Sequence, residues 1–372
     1  MKLGFDAKRL YNNFTGLGNY SRTTIDILTE YYPGNEYLLY TPKVKTCDIT
    51  DAYLKKEGCR TVLPKGLARG GLWRTFCLAG TAGKDSIDIF HGLSNELPAG
   101  IKTPSVVTIH DVAFKTFPDM YHATDRFTYD LKWRYACRKA DRIIAISGST
   151  KEDIIRFYDV NPDRIDVVYQ PVNRIFYSDD KGVCPKSLTT RIDGNPYILY
   201  VGSINSRKNL LGAIKAMEIL PNDIKIPIVV VGDGREYKQK VLDYIAGHNL
   251  QDMVIFTPEK VGLEGLRYLY LHAQMLIYPS FYEGFGLPVV EALLSHCPVV
   301  TSRVSSLPEA AGPYSLTADP GNIEEIAQSI NAVMTDDTLR HSMIEKGYEY
   351  AMNHFSPKSL AGLLMEVYRQ LT

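Results

Sequence analysis

Short apolar runs of four to seven residues recur along the whole chain. In the first half they are KLGF (2–5), EYLLYT (36–41), IDIFH (87–91), SVVTIH (105–110) and RIIAIS (142–147). In the second half they are PYILYVG (196–202), IPIVVVG (226–232), MVIF (253–256), MLIYPS (275–280) and PVVTS (298–302). The runs are continuous rather than alternating, rich in β-branched residues, and bounded by Gly, Pro or polar side chains. That pattern predicts strands buried on both faces. Helix-length segments lie between many of them, at 19–31, 123–140, 148–158, 208–219, 235–247 and 262–272. Strands alternating with helices predict βαβ units and parallel sheets, with ligands beyond the carboxyl ends of the strands. The last segments, 322–335, 337–353 and 357–371, read as helices only. Ser356-Pro357 supplies an N-cap and N1 pair for the final one.

The pattern pauses across PVNRIFYSDDKGVCPKSLTTRIDGNP, which is polar and punctuated by Pro and Gly. It predicts a linker over 173–195 between two α/β domains, 1–172 and 196–356, facing a cleft. A length of 372 residues suits two domains. The mix of 45% hydrophobic and 23% charged residues excludes a disordered, fibrous or coiled-coil chain. Lys+Arg and Asp+Glu are both 42, which argues against a nucleic-acid binder held by phosphate contacts. The balance conceals an asymmetry: residues 1–172 carry 24 basic and 20 acidic side chains, the remainder 18 and 22. MKLGFDAKRL lacks the apolar core of a signal peptide, and no run of about 18 apolar residues occurs. The six cysteines form no CxxC pair and no zinc spacing. These features predict a cytoplasmic protein without a metal site.

One segment carries the most chemistry, SFYEGFGLPVVEALLSHCPVVTS at 280–302. A strand ends near Pro279, a loop holds Glu283-Gly284-Phe285-Gly286, and Leu287-Pro288 opens a helix. First-turn amides of such a helix lack intrahelical partners and can donate to ligand oxygens. Glu291 lies about one turn inside, and its side chain leans back toward the helix N-terminus. The two carboxylates straddle the helix start, so they suggest two hydroxyl-bearing groups rather than one acid/base dyad. The plain alternative is an ordinary strand–loop–helix. In YVGSINSRKNLLGAIKAM (200–217), Arg207 and Lys208 sit where a helix begins, and cations there are unfavourable unless an anion is bound. A solvated Arg-Lys pair is the alternative. TGLGNYSRTTI (15–25) gives GxGxxS rather than the dinucleotide GxGxxG, yet Gly16 and Gly18 still permit close backbone approach; a simple βα turn is the alternative. His110-Asp111 falls at a strand's ligand-facing end, where His110 is either functional or a satisfied structural histidine. Asp111 then serves to orient the loop.

EGFGLPVVEA with the following CPVVTS resembles the E-x7-E signature of the family 4 retaining glycosyltransferases. VGSINSRKN resembles that family's VGxxxxRKN stretch, and 15–25 its N-terminal Gly-rich loop. The resemblance implies a GT-B architecture of two Rossmann-like parallel-sheet domains, with the last helix, 357–372, crossing back to the first domain. It implies a retaining transfer of mannose or another hexose from a nucleotide-diphosphate sugar to a glycan or lipid-linked acceptor, in polysaccharide or glycoconjugate synthesis. Glu283 would meet the transferred sugar, together with the backbone of Phe285, Gly286 and Leu287 and the strand-end His110. Glu291 would meet the ribose. Arg207 and Lys208, with Gly16 and Gly18, would hold the diphosphate in place of a metal. GDP-mannose is the first donor suggested, with UDP-sugars next. The segment TPEKVGLEGL (257–266) departs from the family's Gly-Tyr-Val-type turn, which leaves the base open. A nucleotide-sugar epimerase of the same fold and a non-catalytic nucleotide-sugar-binding protein are the alternatives. KGLARGGLWRTF (65–76) mixes Lys65, Arg69 and Arg74 with Leu67, Leu72, Trp73 and Phe76. It reads either as a peripheral contact with the inner face of an anionic membrane or as a helix packing Leu72 and Phe76 into the domain.

Overall fold

The computed structural model describes residues 1–65, 70–192, 194–258 and 260–372. The chain forms two compact units, Met1–Pro171 with Phe355–Thr372, and Val172–His354. The first is built on seven parallel strands: β1 (Lys2–Asp6), β2 (Glu36–Tyr40), β3 (Cys59–Val62), β4 (Ile89–Gly92), β5 (Ser105–Ile109), β6 (Arg142–Ala145) and β7 (Ile165–Val167). Their order across the sheet is β3-β2-β1-β4-β5-β6-β7. The second unit has six: β8 (Ile198–Val201), β9 (Ile228–Val231), β10 (Val254–Phe256), β11 (Met275–Tyr278), β12 (Val299–Ser302) and β13 (Leu316–Ala318). Their order is β10-β9-β8-β11-β12-β13.

Both sheets are doubly wound, and in each the strand order reverses once. The reversal falls between β1 and β4 in the first unit and between β8 and β11 in the second. Loops leaving those two strands in opposite directions open a crevice at the carboxyl edge, which is where such sheets bind ligands. The continuous apolar runs explain the central strands: β4, β5, β8 and β11 are buried at every position. Three strands carry no such run. CRTV (β3), IDV (β7) and LTA (β13) each sit at a sheet edge and leave residues partly exposed, so polar side chains are tolerated there.

Residues 173–195, expected as a linker, pack into the second unit instead. Phe176, Leu188 and Ile192 are buried. The buried Arg267 guanidinium donates to the carbonyls of Phe176, Ser178 and Asp180, and to Leu294 O and Ser295 Oγ. One cation thus ties a polar stretch to the helix Leu263–His272, which a scan for apolar runs does not register. The final helix, Pro357–Arg369, belongs to the first unit and packs against the helix Gly16–Tyr31. Its Tyr368 hydroxyl lies 2.7 Å from His91 Nδ1, and His91 Nε2 lies 2.8 Å from Thr108 Oγ1. His91 is therefore an internal anchor, and burial pushes its pKa down to about 3. No helix among the described residues is long and apolar enough to cross a membrane.

Candidate functional site

At the β8/β11 reversal the chain brings Arg207, Lys208 and Glu283 together. Gly202 follows β8 with a φ of 153°, and the chain then turns through Ser206–Lys208 as a single 3-10 turn. Asn205 caps that turn by accepting from the Lys208 amide. Asn209, at φ 56°, caps the true helix Leu210–Glu218. Arg207 and Lys208 thus lie just before the helix rather than in its first turn. Lys208 Nζ is 2.6 Å from Glu283 Oε1, and Arg207 Nη1 is 3.2 Å from Glu283 Oε2. Lys208 also meets the Tyr278 hydroxyl and lies 4.9 Å from the Tyr278 ring centroid, while Arg207 donates to the Tyr282 carbonyl. The Tyr278 hydroxyl donates to Glu283 Oε1 at 3.2 Å. Burial alone would raise the Glu283 pKa, but Lys208 and Arg207 outweigh it and hold the carboxyl below its ordinary value. The cluster is a buried carboxylate matched to two cations.

The following loop is built for close approach. Gly286 has φ 113°, and a Cβ there would meet Leu307 Cδ2 at 2.9 Å, so only glycine fits without strain. It precedes the helix Leu287–Leu294, which carries Pro288 in its first turn as expected. The Leu287 amide, at the first helical position, has no intrahelical carbonyl to bond. The Phe285 side chain is buried, and its carbonyl accepts from Ser306 Oγ, so only the backbone here can face a ligand. Glu291 points to a separate place, where it accepts from the buried Tyr270 hydroxyl at 3.1 Å. No cation among the described residues pairs with it, and burial pushes its pKa up to about 8. The two glutamates therefore occupy different environments, one ion-paired and one hydroxyl-backed.

The first unit places the other expected residues at its own carboxyl edge. His110 follows β5 directly. Its Nε2 lies 2.9 Å from the Leu93 carbonyl, its backbone amide donates to Asn95 Oδ1, and the Tyr20 ring stands edge-on at 4.5 Å. A carbonyl partner requires a proton on Nε2, so Nδ1 carries the lone pair. Burial, reinforced by the charge of Arg9, pushes the His110 pKa down to about 4, and the ring is neutral near pH 7. Asp111 accepts from the Ala113 amide through Oδ1, and its carbonyl accepts from Trp133 Nε1, which is a loop-orienting role.

Gly16 and Gly18 separate. Gly16 opens the helix Gly16–Tyr31 with clear space where a Cβ would be. Gly18 is buried, and a Cβ there would lie 1.8 Å from the Asn13 carbonyl oxygen, so it serves packing. Arg22 was not expected: it ties this loop together through Leu10 O, Asn13 O and Asn19 Oδ1. No spacing pattern marks it.

In the 65–76 segment, Leu67 and Arg69 lie outside the described residues. Trp73 is the side chain that packs inward, while Leu72 and Phe76 are each 68% exposed. The reading that buries Leu72 and Phe76 is thereby corrected. The stretch Trp73–Cys77 is a π-helical turn, which rotates neighbouring side chains away from α-helical spacing. Arg74 is turned inward with Trp73. Glu259, in the 257–266 segment, also lies outside the described residues.

Comparison with known proteins covers both halves of the chain. Residues 189–350 match the family described as Glycosyl transferases group 1, and residues 28–174 match Glycosyltransferase Family 4. O-antigen chain mannosyltransferase B of Escherichia coli is 31% identical over 287 residues, which cover 76% of this chain and 74% of that protein. O-antigen chain mannosyltransferase RfbU of Salmonella typhimurium is 26% identical over 235 residues, covering 60% and 62%, so under two thirds of that relative is matched. Among solved structures, Anabaena Alr3699/HepE in complex with UDP-glucose aligns over the whole of both chains with a TM-score of 0.76 at 18% identity. WaaG, a glycosyltransferase involved in lipopolysaccharide biosynthesis, aligns over the whole of both chains with a TM-score of 0.68 at 17% identity. These structural matches establish a shared fold.

Proposed function

The chain belongs to the family 4 glycosyltransferases and has the GT-B fold; from that premise we propose that it transfers mannose from a nucleotide-diphosphate donor to a hydroxyl of a growing cell-surface polysaccharide, with retention at the anomeric carbon. The observation that carries this reading is the Arg207–Lys208–Glu283 cluster at the β8/β11 crevice. Two cations beside a crevice suit a diphosphate, and Arg suits it through paired N–H donors. A bound diphosphate gives Arg207 and Lys208 a second anion and leaves a Glu283 oxygen for a sugar hydroxyl. The Leu287 amide and the Gly286 backbone serve the same sugar. Glu291, backed by Tyr270, accepts from ribose hydroxyls.

In the reaction the bond from the anomeric carbon to the diphosphate oxygen breaks. The bond to the acceptor oxygen forms on the same face, and the acceptor proton passes to the departing phosphate oxygen. The cations then carry the charge that a metal would otherwise carry. His110, neutral and fixed by Leu93 and Asn95, positions a sugar hydroxyl and is not the proton donor. The mannosyl group is favoured by the O-antigen mannosyltransferases that the chain resembles; GDP-mannose is the first donor to test and UDP-sugars the second.

A peripheral membrane contact is part of the same reading. Leu72 and Phe76 are joined in exposure by Phe127 (73%) and Leu131 (61%) on the helix Ala123–Lys139. The loop 96–100 connects these elements: Glu96 pairs with Arg74 and Lys132, Ala99 N bonds Thr75 O, and the Gly100 amide donates to the Tyr135 hydroxyl. Arg126, Lys132, Arg134, Arg138 and Lys139 on that helix add positive charge. Exposed apolar side chains on a helix with more cations than carboxylates suit an anionic bilayer surface.

One assay tests the whole reading. The protein is incubated with GDP-mannose or UDP-sugars and a lipid-linked glycan acceptor, with EDTA in one arm and anionic vesicles in another. The expected result is an α-mannoside product by NMR, unchanged by EDTA, with the protein co-sedimenting with the vesicles. An inverted anomer removes retention, and loss of activity with EDTA removes the metal-free reading. Free epimerised nucleotide sugar without acceptor replaces the transferase with an epimerase. Donor binding with no nucleotide release across the acceptor panel leaves a binding protein. Protein that stays in the supernatant removes the membrane contact.

A further inference from the structure

The first unit has its own crevice at the β1/β4 reversal, and buried charge is concentrated there. Asp6 ends β1, and Glu96 lies in the loop that follows β4. Arg74 reaches both from the π-helical turn: Nε is 2.5 Å from Asp6 Oδ2, and Nη1 is 2.5 Å from Glu96 Oε2. Arg74 is only 5% exposed and Asp6 only 2%. Lys132 adds a further contact to Glu96 at 3.3 Å. Lys8 and Arg9 follow β1 immediately.

Two features set this cluster apart from a closed structural ion pair. Arg74 Nη2 is buried and has no hydrogen-bond partner among the described residues, and the same holds for Arg9 Nε. Buried N–H donors in folded proteins are normally satisfied, so an unmatched pair needs an acceptor from elsewhere. The charges are also unequal among the described residues: the ion pairs join Arg74 and Lys132 to Asp6 and Glu96, and Lys8 and Arg9 beside them add two further cations, with Asp111 the next carboxylate, near His110. Mutual repulsion in this group is evident at Lys8, whose pKa is lowered by burial first and by Arg74 and Arg9 next. Arg9 also acts on His110, alongside the opposing charge of Asp111.

We propose that the β1/β4 crevice is an acceptor subsite for an anionic group, a phosphoryl or carboxylate function, held by Arg74 Nη2, Arg9 and Lys8. The proposal rests on the transferase reading for the word acceptor only; the anion site itself stands on the local geometry. Asp6 and Glu96 set the orientation of the Arg74 fork, so its remaining edge is presented in one direction. A planar guanidinium with two free N–H positions suits the paired oxygens of either group.

The test uses the full chain with its donor pocket filled by saturating GDP or UDP. Methyl phosphate, methyl β-glucuronide and neutral methyl α-mannoside are titrated by ligand-observed NMR. At least one of the two anions is expected to bind, and more tightly than the neutral glycoside. Arg9→Gln and Lys8→Gln, both at partly exposed positions, are each expected to weaken that binding about tenfold or more. Arg74→Gln is expected to do the same where its thermal melt shows a native fold. Preference for methyl phosphate identifies a phosphorylated acceptor, and preference for the glucuronide an acidic glycan; either supports the subsite. It is overturned if neither anion binds, if the neutral glycoside binds as well, if Arg9→Gln and Lys8→Gln bind like wild type, or if the anion binds only when the nucleotide is left out. Nucleotide release in the donor assay is read separately, so loss of the subsite and loss of the transferase reading are distinguishable.

Discussion

The two crevices share one topology and use charge in opposite ways. In the second unit, one carboxylate, Glu283, is matched to two cations, Arg207 and Lys208. In the first, one cation, Arg74, is matched to two carboxylates, Asp6 and Glu96, and further cations gather around it. The first arrangement can release its cations to an incoming anion, because the carboxylate they hold can turn to a hydroxyl. The second fixes an arginine in place and presents what remains of its fork. The wider charge distribution runs the same way. With Phe355–Thr372 counted in the first unit, that unit carries 26 basic and 21 acidic residues, and the second 16 and 21. The acidic unit thus sets two of its cations on one carboxylate at the crevice, and the basic unit gathers cations beyond its ion pairs.

The comparison breaks most sharply at Arg207. Arg207→Ala is expected to lower kcat about 100-fold or more, since it removes a charge that acts on the leaving diphosphate. Its thermal melt should stay near wild type. Near-normal turnover on a verified donor would mean that the second unit's cluster is structural. In the first unit, Arg9→Gln should instead raise the acceptor KM and leave the donor KM in place. If both variants alter the same constant, the division of labour between the crevices is wrong.

Tyr368→Phe addresses a feature the second unit lacks, the returning helix. It leaves His91 Nδ1 buried without its partner, which should cost about 1–2 kcal/mol. A lower urea midpoint at constant slope would report that cost. An unchanged midpoint would show that apolar packing alone holds the helix.

The smallest effect concerns Glu291. Its folded pKa is about 8 against an ordinary 4.5, so the native protein keeps a proton that the unfolded chain gives up. Stability is then full below about pH 4.5 as far as this group is concerned, and falls as pH rises toward 8. Wild-type protein without nucleotide should therefore lose more Tm between pH 5 and 8 than Glu291→Gln does. Nucleotide affinity should rise over the same range in wild type only, as the carboxylate form accepts ribose hydroxyls. Parallel pH profiles for the two proteins would remove the isolated-carboxylate assignment.

Much of the fold was legible from patterning, because buried parallel strands demand uninterrupted apolar runs. Ten of the thirteen strands follow from those runs. The missing β3, β7 and β13 are edge strands, where one side is open and the pattern loses its contrast. The segment at 173–195 looked like a linker for a related reason. Its anchor is a single arginine, Arg267, whose hydrogen bonds go to carbonyls and leave no mark on side-chain pattern.

The sites divide along the same line. The segment 280–302 determined by itself that Glu283 precedes a helix, that Glu291 lies within it, and that glycine must stand between them, because loop and helix geometry are local. It also carried the family resemblance that the comparisons establish. Only the tertiary structure decided that Lys208 and Arg207 meet Glu283, that Gly16 is open while Gly18 is packed, and that Trp73 turns inward while Leu72 and Phe76 stay exposed. It alone brought Arg74 to Asp6, across a sequence separation of 68 residues. Side chains that far apart meet only because the strand order reverses between β1 and β4. A reversal of strand order is a property of the assembled sheet, and no local stretch of residues encodes it.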